Sequence, residues 1–126
     1  MSSLKIIRQG RHFTIAIRWI GDAAVIESYG VPIGWEMTGI EATIRASVGE
    51  NWRKVVFDVT RTDFADSGLL GIVRGFWKQL NAGEKPDPVR EVLIVAEPGT
   101  AMHEKLSMTG IDRRVRVVPT VEDAVT

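Results

Sequence analysis

The sequence predicts an α/β domain built on a mixed, mainly parallel sheet, with an N-terminal antiparallel hairpin and about four helices. Three observations carry that prediction. Short valine-rich runs recur, as in KVVFDVT (Lys54 to Thr60) and EVLIVAE (Glu91 to Glu97), and suit strands covered on both faces. Stretches with apolar residues at helical spacing separate these runs. The segment HFTIAIRWIGDAAVIESYG reads as two strands around a tight turn at Gly21-Asp22. Alternation of this kind favours a parallel sheet with right-handed crossovers.

The elements follow in order. Residues 1–10, MSSLKIIRQG, are an N-terminal extension with no assigned element. After the hairpin, Thr38 is placed as the N-cap of a helix, with Glu41 three residues on as its capping-box partner. Ile40, Ile44 and Val48 form its apolar stripe, and Gly49 is a suitable stop. The strand at Lys54 comes next, then a helix from about Ser67 to Asn81 that stops near Gly83. NAGEKPDPVRE (Asn81 to Glu91) carries a glycine and two prolines and reads as a surface loop. A strand from Glu91 leads to a helix from Thr100 to Thr109, which ends at Gly110 and turns Met102 and Leu106 inward. VRVVP (Val115 to Pro119) is a last strand, and a short helix starts at Thr120 with Asp123 in the capping position.

The whole chain, residues 1–126, is expected to form a single domain. Sixteen Lys and Arg balance sixteen Asp and Glu, which argues against nucleic acid as a partner, since that usually requires a basic surface. No cysteine is present, so disulfides, thiol nucleophiles and zinc–thiolate sites are excluded, and a reducing, cytoplasmic setting suits the chain. No apolar run reaches the length of a signal peptide core or a membrane span, so direct membrane insertion is not expected.

The segment FADSGLLGIVRGFW, Phe64 to Trp77, holds the least expected feature. A helix there carries two interior glycines, Gly71 and Gly75, each costing about 1 kcal/mol relative to alanine. At 100° per residue, Leu69, Ile72, Val73, Phe76 and Leu80 gather on one side as the core face. Ser67, Gly71, Arg74 and Lys78 fall opposite, flanked by Gly75 and Asn81. A serine opening the outer face of a helix, in line with bare backbone, suits close approach by another protein. The alternative makes Asp66 or Ser67 no more than an N-cap and packs Gly71 and Gly75 against a helix of the same chain.

FADSGLLG after a VVFDV strand resembles the signature of the STAS family, the sulfate transporter and anti-sigma-factor antagonist domains. There a strand ending in Asp leads to Asp-Ser-x-Gly-Leu-Gly at a helix start. Asp58 matches the strand Asp, Asp66 and Ser67 the Asp-Ser pair, and Leu70 and Gly71 the closing Leu-Gly. Gly68 stands at the variable position, and Leu69 replaces the family glycine. EKLSMTGIDRRVRVVPTVEDAV resembles the family's C-terminal pattern, with Leu106, Gly110, Ile111 and Ala124 in the matching places. The likeness runs over about residues 23–125. VPIGWE, from Val31 to Glu36, replaces the family's Leu-Asp-x-x-x, and the acidic residue often seen at that Asp is missing.

The resemblance implies a non-enzymatic, partner-switching regulator of transcription. Its unphosphorylated form would bind a kinase-like anti-sigma factor and free the sigma factor, and phosphorylation would end that binding. Ser67 would be the phosphoacceptor, and Asp66, Gly68, Gly71, Arg74, Gly75 and Lys78 the partner-binding residues. A phosphatase would reset the switch, and no cofactor or metal is implied. Two other roles keep the fold: a constitutive STAS subunit of a lipid-trafficking ABC transporter complex, and a stressosome-type scaffold component.

Enzyme readings find little support in the residues. His12 and His103 are the two histidines, and neither sits in a triad or metal spacing; His103 reads as a surface residue. No phosphate-binding glycine loop follows a strand. A phospho-aspartate receiver needs a lysine after its last strand, which VVPTVED lacks. Of the four tryptophans, Trp19 is expected to pack within the hairpin and Trp77 to sit at the core edge or anchor an interface, while Trp35 and Trp52 flank the first helix.

Overall fold

The computed structural model describes residues 4–63, 67–81 and 89–126, with Ser67 described by its backbone. Six strands form one sheet in the order of the chain: β1 (Lys5–Gln9), β2 (Phe13–Ile20), β3 (Ala23–Gly30), β4 (Lys54–Thr62), β5 (Glu91–Val95) and β6 (Arg116–Val118). The first three pair antiparallel, and β3 to β6 are parallel. The mixed, mainly parallel sheet with an N-terminal hairpin is therefore the observed fold. The extension that sequence left unplaced supplies β1, an edge strand running against β2.

Strand order explains the layers. Each parallel strand lies beside its predecessor, so successive right-handed crossovers step in one direction and leave their helices on one face. These helices are α1 (Ile40–Val48), α2 (Ser67–Asn81) and α3 (Ala101–Met108). Their inward residues Ile40, Ile44, Val48, Leu69, Val73, Phe76, Leu80, Met102 and Leu106 join Ile15, Ile26, Phe57 and Ile94 of the sheet in the main core. The final helix, α4 (Val121–Val125), follows the last strand and covers the opposite face, where Ala124 packs with Val25, Val56, Leu93 and Val95.

One helix cannot cover six strands, and beyond it that far face carries a polar cluster. Glu27 of β3 is buried there. Its carboxylate accepts a 2.7 Å hydrogen bond from the Tyr29 hydroxyl and pairs with Arg18 at 3.1 Å and Arg61 at 3.6 Å. Burial, followed by the hydrogen bond and charge of Glu27, pushes the Tyr29 phenol up, and Arg61 opposes that shift.

The start of α1 corrects the capping box placed at Thr38 and Glu41. Gly39 is the N-cap residue, with φ of 78°, and no side chain caps the helix. A short 3-10 turn, Gly34–Met37, precedes it, and the left-handed glycine turns the chain directly into the helix. The Thr38 carbonyl accepts instead from Arg8, and Glu41 pairs with Arg45 one turn on. Gly49 ends α1 as expected, donating to the Arg45 carbonyl. Thr100 and Thr120 cap α3 and α4 through their side chains. Strand β4 runs to Thr62 rather than Thr60, and β5 ends at Val95 rather than Glu97. The expected stop near Gly83 lies outside the described residues.

Candidate functional site

The site is built where β3 and β4 end. Ser28 and Thr62 are buried side by side, their hydroxyls 2.8 Å apart. Each hydroxyl also lies within hydrogen-bond reach of a backbone carbonyl of β3 or β4, Ser28 of Asp58 at 3.3 Å and Thr62 of Ser28 at 3.1 Å, so two protons are shared among three contacts. Two hydroxyls in an apolar core require such mutual satisfaction. The pair clamps β4 to β3 through its last residue, and the Asp63 amide then donates to the Gly30 carbonyl at 3.0 Å. The chain therefore leaves the sheet from a fixed point, four residues before α2 begins at Ser67.

Asp58, matched to the strand Asp of the STAS signature, is half-buried on the far face. The register slips between the pairs Glu27–Asp58 and Tyr29–Arg61, so β4 holds an extra residue there. The Asp58 carboxylate accepts from the Thr60 amide at 3.0 Å and from its hydroxyl at 2.7 Å. It thus satisfies the amide at a bulge that redirects the end of the strand.

Helix α2 sorts its residues as its periodicity requires. Leu69, Leu70, Ile72, Val73, Phe76 and Leu80 are buried, so the leucine at the family glycine's place is a core residue. Gly68, Gly71 and Lys78 are exposed, and Arg74 and Gly75 are half-buried. Asp66 and the Ser67 side chain lie outside the described residues. Among the described residues no acidic side chain occupies the first turn of α2.

The two glycines divide between the two readings given to them. A Cβ added at Gly71 would meet nothing within 4 Å among the described residues. One added at Gly75 would come within 3.3 Å of the Arg45 guanidinium. Arg45 lies over the Phe76 ring at 4.1 Å, pairs with Glu41 and donates to the Gln79 side chain at 2.6 Å. Bare backbone at Gly75 therefore makes room for α1, whereas that at Gly71 faces solvent.

Two hollows adjoin the end of β4. A smaller one, about 190 Å³, lies at the ends of β4 and β5 among Thr60, Thr62, Asp63, Thr100 and Met102. A larger one, about 530 Å³, is lined by Asp63, Ala101, Met102, Glu104, Lys105, Met108 and Thr109. Met108 is 80% exposed at its rim. Flexible thioethers on an open apolar surface suit adaptable protein contacts.

Sequence reasoning missed Glu36. It is 7% exposed, and its carboxylate accepts from the Arg11 amide at 2.7 Å, the His12 amide at 3.1 Å and the His12 ring at 3.3 Å. These contacts tie the 3-10 turn to the β1–β2 connection and hold Trp35 outward, 70% exposed and edge-on to His12. A single glutamate in an irregular segment gives no periodic signal. Burial pushes its pKa up, but the two backbone amides and His12 outweigh it and hold the carboxyl below the usual value. The stabilisation is therefore complete above the unfolded carboxylate's pKa and fades as pH falls through the lower folded value. Glu36→Gln should lower stability at pH 7, with the difference from wild type shrinking below about pH 4. Urea unfolding at both pH values measures it, and a pH-independent difference would show that charge is not involved.

Trp52 is buried edge-on against Phe76, whereas Trp19 and Trp77 pack partly buried at the core margin. His103 is half-buried, its amide donating to the Thr100 cap. Among the described residues no cluster of acidic residues and histidines is arranged to hold a metal, and no helix is long and apolar enough to cross a membrane.

A six-stranded sheet with three crossover helices on one face, and a serine opening the helix after the second parallel strand, defines a STAS-type architecture. Solved structures share this fold. An anti-sigma factor antagonist from Mycobacterium paratuberculosis superposes with a TM-score of 0.76 at 21% identity, over 94% of this chain and 95% of its own. The anti-sigma factor antagonist SpoIIAA in its unphosphorylated form matches at 0.67 and 18% identity, over 88% and 92% of the two chains. The protein TM1081 matches at 0.63 and 16% identity, over 86% and 82%. No protein-family model matches the chain, and no curated protein sequence matches it significantly. At these identities the shared property is the fold.

Proposed function

We propose that this protein is a phosphorylation-switched partner-binding module, an anti-sigma-factor antagonist in kind and not an enzyme. In its unphosphorylated form it binds a kinase-like anti-sigma factor in the cytoplasm; phosphorylation of Ser67 ends the contact, and a phosphatase restores it. The docking face comprises Asp66, Gly68, Gly71, Arg74 and Lys78, with Gly75 at the margin toward α1.

The observation that carries this reading is Gly71. Its backbone is open to solvent one turn beyond Ser67, and no neighbour in the described chain fills the space. An interior helix glycine lowers stability by about 1 kcal/mol, a cost that no contact among the described residues explains. A partner helix or loop that approaches the bare backbone supplies the reason. The fold shared with two anti-sigma factor antagonists supports the same role.

The physical chemistry of the switch is consistent with the position. Phosphoserine carries about −1.5 to −2 charges near neutral pH. At the first residue of α2 the free amides and the helix dipole tolerate such an anion, so the fold survives modification while an interface over it does not. The test is phosphorylation by native-host lysate with ATP, wild type beside Ser67→Ala. We expect transfer that maps to Ser67 and is lost in the alanine variant. Absence of transfer, with stable capture of an ATPase instead, would replace the switch by a constitutive transporter subunit.

A further inference from the structure

The chain is neutral overall, yet one hollow collects positive charge. A cleft of about 330 Å³ lies between the outer side of α2 and the turn that follows α3, lined by Arg74, Thr109, Gly110, Ile111, Arg113 and Arg114. Three guanidinium groups border it, and among the described residues no carboxylate does. Arg74 and Arg113 form no ion pair among the described residues. Asp112, between the cleft's residues in sequence, accepts a 3.0 Å hydrogen bond from Ser107 and does not line the cleft.

The backbone presents these arginines from a fixed turn. Gly110 adopts φ of 76° and opens a 3-10 turn, Ile111–Arg113, anchored by the fully buried Ile111. The Arg113 amide donates to the Gly110 carbonyl at 3.2 Å and the Arg114 amide to the Ile111 carbonyl at 3.0 Å. The Arg114 guanidinium lies 5.5 Å from the centre of the Trp77 ring, a cation–π contact that limits its rotamers. Arg74 reaches the cleft from α2, on the opposite wall.

Three like charges around one hollow repel each other unless an anion joins them. One carboxylate is satisfied by a single bidentate arginine. A phosphate monoester brings nearly two charges and three acceptor oxygens, which matches three forks converging from two walls. We propose that this cleft binds a phosphate group. Arg74 lies seven residues beyond Ser67, about 10 Å along the helix, so this site is separate from the start of α2 and does not depend on whether Ser67 is modified. The phosphate belongs either to a free small molecule or to a phosphorylated side chain, and both present the same oxygens to the arginines.

Titration of the isotope-labelled full chain with inorganic phosphate, at constant ionic strength, tests the site. Saturable amide shifts confined to Arg74 and Thr109 to Arg114 are expected. Arg74→Gln combined with Arg113→Gln should weaken binding about tenfold or more while the remaining spectrum stays that of the folded protein. Arg114→Lys keeps the charge but loses the fork, and should weaken binding severalfold. A phosphoserine peptide beside its unphosphorylated twin separates the sources: phospho-dependent binding tighter than that of inorganic phosphate assigns a phosphorylated side chain, and equal binding assigns free phosphate. Shifts that do not saturate, that chloride reproduces at equal ionic strength, or that persist unchanged in the double variant would overturn the site.

Discussion

Stoichiometric phosphorylation of Ser67 should weaken binding of the protein partner about a thousandfold while leaving the fold intact. The expected size follows from charge. A phosphate on the docking face adds up to two negative charges, and Asp63 and Asp66 lie four residues and one residue before Ser67 in sequence. One like-charge contact at 4 Å with an effective dielectric near 20 costs about 4 kcal/mol, close to a thousandfold in affinity. Turning a 99:1 equilibrium into 1:99 needs about 5.5 kcal/mol, so one such contact with some desolvation nearly completes the switch. The helix amides compensate the charge in the free protein but not at a contact that excludes water. Calorimetric titration of the purified partner with both forms measures the loss, and circular dichroism checks the fold. Gly71→Ala is the companion variant: it should stabilise the free protein by up to about 1 kcal/mol and weaken the partner by occupying its approach. Equal affinity of both forms would remove Ser67 from the interface.

Phe76→Ala should destabilise the domain by about 3–5 kcal/mol, a large part of the 5–15 kcal/mol typical of a domain. Phe76 is 1% exposed and sits where three elements meet. Its ring packs edge-on to Phe57 of β4 at 5.6 Å and to Trp52 at 6.2 Å, and the Arg45 guanidinium covers it at 4.1 Å. Truncation opens a cavity between α2 and the sheet and leaves Arg45 of α1 without its ring. Because the backbone of α2 is also the platform for Ser67, the variant should loosen the site from behind. Urea denaturation gives the loss directly. A change below about 1 kcal/mol would mean that α1 closes over the gap and that the aromatic cluster is not the anchor of α2.

Most of the fold was legible because its signals are local. Valine-rich runs separated by amphipathic stretches specify parallel strands and crossover helices, and the five residues assigned to the inner face of α2 are all buried, with Leu70 in addition. What was missed depends on partners remote in sequence. The strand in the N-terminal extension pairs only because β2 offers it an open edge, and its short run carries no distinctive pattern. The capping box at Thr38 failed because Gly39 adopts a left-handed turn, a choice that the preceding 3-10 turn and Arg8 decide together. Among the site residues, the helix wheel showed that Gly71 and Gly75 lie near the outer side of α2, but not that Arg45 covers the second and leaves the first open.

By itself, then, the sequence determined the kind of sheet, the helix that Ser67 opens and the outward face of that helix. Each follows from periodicity, which needs nothing beyond a dozen neighbouring residues. The tertiary structure alone decided which glycine is free, that Glu36 binds the β1–β2 connection to the 3-10 turn, and that arginines 39 and 40 residues apart in sequence border one cleft. Those outcomes depend on distances between segments, and the packing of α1, α2 and the α3–β6 turn on one face of the sheet sets them.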